Sequence, residues 1–232
     1  MTDSTPPGDP LPATGPSEPG AAPTHGVGPH PEPWPDDARL DPELLREGDA
    51  RNVVDQYRYW SMEAIVADLD ERRHPFHVAI ENWQHDMNIG SIVRTANAFL
   101  AAEVHIVGRR RWNKRGAMVT DRYQHVRNHE SVAELVAFAR AERLVIVAVD
   151  NVEGSRAVDA RPLPERCLLL FGQEGPGLSA EALAAASEVV EIRQFGSTRS
   201  MNAGAAAAVV MHEWVRVHAG AGGASRAGDA GS

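Results

Sequence analysis

Five short runs of β-branched and aliphatic residues, separated by stretches with helical periodicity, constrain this chain more than any other feature. The runs cover residues 76–80, 104–107, 144–149, 168–171 and 189–192, each of strand length and too short for a buried helix. Between them, residues 89–100, 131–140, 180–186 and 201–217 carry apolar residues at helical spacing, and residues 61–72 read as a helix leading into the first strand. Strands that are largely apolar, alternating with helices, predict an α/β fold: a mainly parallel sheet with helices on both faces.

Composition divides the chain into three. Residues 1–50 hold ten carboxylates against Arg39 and Arg46, a net charge of −8, and are rich in Pro, Gly and Ser. Such a segment buries too little apolar area to offset its conformational entropy and is expected to be disordered. Residues 218–232 are Gly, Ala and Ser for the most part and are expected to form a flexible tail. Residues 51–217 are left as one folded domain with 21 acidic and 20 basic residues, so the chain's overall −9 says little about what the folded part attracts. No apolar run is long enough to span a membrane and no secretory leader pattern appears, so a cytoplasmic protein is expected. The single cysteine, Cys167, lies in an apolar run and reads as a buried small hydrophobe. The histidine pairs His74/His77 and His125/His129 lack an obvious third ligand, so no metal site is expected.

Three segments could carry chemistry. In the first, Asn88 precedes a helix whose apolar stripe is Ile89, Ile92, Val93 and Ala96, and Arg94 projects from the other side. Asn88 could be only a helix cap and Arg94 only a solvated cation. The second, Gly172-Gln173-Glu174-Gly175-Pro176-Gly177-Leu178-Ser179, follows a buried strand. Glycines there let backbone approach a ligand closely, although the stretch could equally be a turn capped by Ser179. The glycine order fits neither a P-loop nor a dinucleotide fingerprint. The third runs from Ile192 through Gly196 to Ser200-Met201-Asn202 and opens a helix of small residues, with Ser200 as a candidate cap and Asn202 in the first turn. A basic run, Arg109-Arg110-Arg111-Trp112-Asn113-Lys114-Arg115, follows the second strand.

In this order and spacing the three segments resemble the motifs of the SpoU/TrmH family of the SPOUT superfamily. Asn88 stands six residues before Arg94; Gly172, Glu174, Gly177 and Leu178 match the second motif; Ile192, Gly196, Ser200, Met201 and Asn202 match the third. Arg193 stands where the family usually has proline, Met201 replaces leucine, and Leu100 occupies a usual glycine position. The resemblance implies a Rossmann-like fold closed by a C-terminal trefoil knot, working as a homodimer. It implies transfer of a methyl group from S-adenosylmethionine to a ribose 2′-hydroxyl of tRNA or rRNA. Arg94, Asn88, Glu174, Ser200 and Asn202 would then be the catalytic set, and Gly172, Gly177, Ile192 and Met201 would hold the cofactor. With that implied, Arg109, Arg110, Arg111, Lys114 and Arg115 are expected to meet phosphates and Trp112 to stack on a base. The competing expectation is a non-catalytic RNA-binding protein with the same fold.

Overall fold

The computed structural model describes residues 26–83, 88–173 and 175–219. They divide into two compact units, one ending at Ser61 and the other beginning at Met62.

The first unit sets aside the expectation of disorder over residues 26–50. It contains α1 (Pro42–Glu47), capped by Asp41, whose carboxylate accepts from the backbone N–H groups of Glu43 and Leu44. Asp49 is fully buried and accepts from the backbone and guanidinium of Arg51 and from the backbone N–H of Tyr59. Burial raises the Asp49 carboxyl, but these hydrogen bonds outweigh it and hold the group below its ordinary range. The unit is organised by a buried carboxylate and by Arg39 over the Trp60 ring, not by aliphatic periodicity, which is why composition hid it.

The second unit runs α2 (Met62–Asp70), β1 (His77–Asn82), α3 (Ile89–Ala98), β2 (Val104–Gly108), β3 (Val126–His129), α4 (Val132–Ala141), β4 (Val145–Val149), β5 (Arg156–Ala157), β6 (Cys167–Phe171), α5 (Ala180–Ala185), β7 (Glu188–Glu191) and α6 (Ala203–His218). The strands form one sheet in the order β3-β2-β1-β6-β4-β7-β5, parallel at every pairing. All five expected strands are present. The two additional ones, β3 and β5, lie at the sheet edges, where one neighbour suffices and a strand needs no apolar run.

Each face of the sheet has its own core. On one, Phe76, Val78, Ile80 and Leu169 pack with Ile89, Ile92 and Val93 of α3 and with Val210, Met211 and Trp214 of α6. Trp214 lies 4.5 Å from the Phe76 ring centroid and donates its indole N–H to the Pro164 carbonyl. On the other, Ala79, Val107, Leu168 and Leu170 pack with Val132 and Leu135 of α4 and Ala182 of α5. Cys167 is buried in β6, and burial pushes its thiol up to about 12, so it behaves as a hydrophobe. Strand β6 comes late in the chain yet lies between β1 and β4, which brings the loops after β4, β6 and β7 to one edge.

Candidate active site

A cavity of about 400 Å³ opens at the carboxyl ends of β4, β6 and β7, the place where open α/β sheets bind ligands. Its walls come from three loops: Asp150 and Asn151 after β4; Gly172, Gln173 and Gly177 after β6; Ile192, Ser200, Met201 and Asn202 after β7.

The loop after β6 is closed on itself. Backbone hydrogen bonds join Gln173 and Gly177 in both directions, at 3.2 and 3.1 Å. It is also bolted to its surroundings. Asp150 accepts from the Leu178 N–H, buried Glu81 accepts from the Ser179 N–H, and the Gln173 side chain accepts from the Trp83 N–H. Ser179 caps α5, as expected for the end of such a turn. The loop after β7 is tied to the loop after β4 by a hydrogen bond from the Asn151 amide to the Arg199 carbonyl. Arg193, in the position of the family's proline, pairs with Asp159 instead.

The first motif joins the third directly. The Asn202 side chain donates to the Asn88 side-chain oxygen at 2.8 Å, and its own oxygen accepts from the Ala205 N–H, capping α6. The cap of α6 is therefore Asn202, two residues later than the expected Ser200, which is left on the cavity wall. Asn88 begins α3 without a side-chain cap bond, its amide being committed to Asn202. Close by, a Cβ on Gly204 would fall 2.6 Å from the Ser91 hydroxyl, so the first turns of α3 and α6 nearly touch. Asn202→Ala removes a helix cap and is expected to lower stability by about 1 kcal/mol, read from denaturant midpoints.

Arg94 lies three residues after Ser91 on the same side of α3. It is exposed, has no ion-pair partner among the described residues, and does not line the cavity of its own chain. Glu174 lies outside the described residues. The remaining expected cofactor contacts, Gly172, Gly177, Ile192 and Met201, all border the cavity.

The basic run packs beside the start of α3. A Cβ on Gly90 would fall 2.8 Å from the Gly116 Cα, and the Asn82 amide donates to the carbonyls of Arg109 and Arg111. Arg110 pairs with Glu130 at 3.4 Å and Lys114 with Asp121 at 2.9 Å. Arg109, Arg111 and Arg115 are exposed without an ion pair among the described residues. Trp112 is half-buried and packs on the core, so its ring anchors the loop more than it offers a free platform.

Asp150, Asn151 and Glu191 were not expected at the site. The signal was available, since Asp150 and Asn151 directly follow a buried strand, as the glycine loop does. Their charge is informative: the described lining includes Asp150 and Glu191 and no lysine or arginine. A pyrophosphate would be repelled there, while a sulfonium cation fits.

The sequence profile of the SpoU rRNA Methylase family matches residues 75–212, more than half of the chain. The chain belongs to that family. A tRNA (guanosine(18)-2′-O)-methyltransferase of Escherichia coli is 31% identical over 167 residues, covering 68% of this chain and 71% of that protein. The protein of the same name from Thermus thermophilus is 28% identical, covering 64% and 78%. Among solved structures, the SpoU methyltransferase AviRb from Streptomyces viridochromogenes in complex with AdoMet is 28% identical, with a TM-score of 0.57. That match covers 64% of this chain and 60% of AviRb, so the chain spans less than two thirds of that neighbour.

Proposed function

We propose that this protein transfers a methyl group from S-adenosylmethionine to a ribose 2′-hydroxyl of tRNA or rRNA. The observation that carries the reading is the convergence of motif segments, up to 114 residues apart, on one acidic cavity. The names of the relatives support it, and those from Escherichia coli and Thermus thermophilus make tRNA the first substrate to test.

The bound donor supplies an electrophilic methyl carbon next to a sulfonium. Asp150 and Glu191 favour that charge, and backbone at Gly172, Gly177, Ile192 and Met201 encloses the ligand. The nucleophile is a weakly acidic hydroxyl: as its oxygen would bond to the methyl carbon, the carbon–sulfur bond would break, the neutral thioether S-adenosylhomocysteine would leave, and the hydroxyl proton would pass to solvent. A guanidinium stays protonated and has no acceptor, so it cannot be the base. Arg94 instead binds the phosphate beside the target ribose and stabilises the negative charge that develops on oxygen. Asn88 and Asn202 fix the helix carrying Arg94 against the cavity wall, and Ser200 and Glu174 orient the ribose. Arg109, Arg111 and Arg115 hold the RNA backbone, with Arg110, Lys114 and Trp112 shaping the same loop.

The active form is read as a homodimer in which Arg94 serves the partner's cavity, a reading supported by its absence from the wall of its own chain's cavity. Met118, Val119 and Val209, exposed large hydrophobics on segments packed around α3, supply an apolar contact for the second copy. The loops after β6 and β7 are read as the crossing segments of a trefoil knot, supported by their shared cavity and the tie from Asn151. No helix among the described residues is long and apolar enough to cross a membrane, and we place the protein with its RNA substrates in the cytoplasm.

The test is incubation of the full chain and the donor with unmodified tRNA and rRNA transcripts, followed by mass-spectrometric mapping of ribose methylation. A single 2′-O-methylated nucleotide in one transcript is expected. RNA binding without methylation in either would replace this reading with the non-catalytic one.

A further inference from the structure

Away from the cavity, three histidines from adjacent strands form a continuous chain across the sheet. His77 Nδ1 lies 2.9 Å from His105 Nε2, and His105 Nδ1 lies 2.9 Å from His129 Nε2. They stand on β1, β2 and β3 on the face covered by α4, where Phe138 packs on all three rings at centroid distances of 5.6, 4.6 and 5.7 Å. Glu103, immediately before β2, brings its Oε2 to 3.9 Å from His105 Nε2. One oxygen or nitrogen from each of His77, Glu103 and His105 thus lies within 4.8 Å of the others.

We propose that His77, His105 and Glu103 form a binding site for a divalent transition-metal ion, of which zinc is the natural candidate. Two imidazoles and a carboxylate, with water in the fourth position, are a donor set zinc accepts. The outer contacts are those a metal ligand needs. Binding through His105 Nε2 leaves its Nδ1–H to donate to His129, which fixes tautomer and ring orientation. Glu103 is oriented by Arg127, which donates to Oε1 at 3.0 Å, neutralises one oxygen's charge and leaves Oε2 toward the histidines. Glu103 and His77 are only partly buried, which gives an ion a path in from solvent. With Zn–N bonds of about 2.1 Å, nitrogens 2.9 Å apart subtend about 90°, so a tetrahedral ion parts them by about half an ångström. The site would clip β1 to β2 at their amino-terminal halves, on the far side of the strands from the cavity.

The probes are cobalt(II) and zinc alone, added to the chelator-stripped, tag-free full chain. Cobalt is expected to give a visible d–d spectrum and zinc to raise the melting temperature. His77→Gln and Glu103→Gln should each weaken both responses at least about tenfold, and His129→Gln should weaken them less. Glu103 is only partly buried and an amide in its place can still accept from Arg127, so its variant keeps the fold even where the histidine variants do not. Neither His77→Gln nor Glu103→Gln should change donor affinity at the distant cavity. A wild-type chain that binds neither ion, or one whose spectrum and affinity persist in the His77→Gln/Glu103→Gln double variant, overturns the site and leaves a metal-free hydrogen-bonded triad.

Discussion

Arg94→Ala is expected to slow methyl transfer by about 100- to 1,000-fold, the effect of removing one well-placed donor from developing negative charge. Stability should change by less than about 0.5 kcal/mol, because Arg94 is exposed and unpaired among the described residues. Donor affinity should not change, because the guanidinium is assigned to the RNA phosphate and the developing charge on oxygen, not to the cationic donor. Arg94→Lys should recover only part of the rate, since an ammonium keeps the charge but loses the planar fork that grips a phosphate. A variant lacking the guanidinium that still methylates RNA at the normal rate would remove Arg94 from the mechanism. Sharing of the site between two copies has its own readout. Mixing Arg94→Ala chains with chains whose cavity is destroyed should restore activity, because one composite site in each mixed dimer is intact. If mixing restores nothing, each chain uses its own arginine.

That arrangement shows how much of the molecule the sequence discloses. Four of the five expected strands, β1, β2, β4 and β6, were legible because they are buried over most of their length and largely apolar there, as at 168–171 in β6. Strand β3 was not, because Arg127 and Asn128 are exposed at a sheet edge and read as part of a basic loop. The site motifs were visible as polar and glycine-rich breaks after strands. Their roles were assigned less well, since Asn202 rather than Ser200 caps α6, and the reason lies in Asn88, far away in the chain. The histidines show the same limit. Local spacing suggested the pairs 74/77 and 125/129, whereas register across three parallel strands brings 77, 105 and 129 together. Periodicity reports which face a residue occupies; only strand order reports its neighbours.

Strand order also makes Gly172 the residue on which the cavity depends most. A Cβ at this position would lie 2.2 Å from the Gly177 carbonyl carbon and 2.4 Å from the Leu178 nitrogen. These are backbone atoms, so no rotamer change relieves the overlap. The loop has little freedom to move aside, being held by Glu81 at Ser179, by Asp150 at Leu178 and by its own Gln173–Gly177 pairing. An alanine must break at least one of these contacts, each worth about 1–3 kcal/mol where a buried partner is left unmet. Gly172→Ala is therefore expected to weaken S-adenosylmethionine binding at least about 100-fold, or about 2.7 kcal/mol, measured by calorimetry. Gly175 provides the comparison: nothing lies within 4 Å of its Cβ position, and only its φ of +94° resists alanine. Gly175→Ala should cost about 1–2 kcal/mol of loop stability and a smaller share of the affinity. Gly196, with open space around it and no left-handed backbone, should tolerate alanine without effect. The order Gly172, then Gly175, then Gly196 is the content of the prediction. Equal donor affinity in wild type and Gly172→Ala would mean that the loop after β6 does not enclose the ligand.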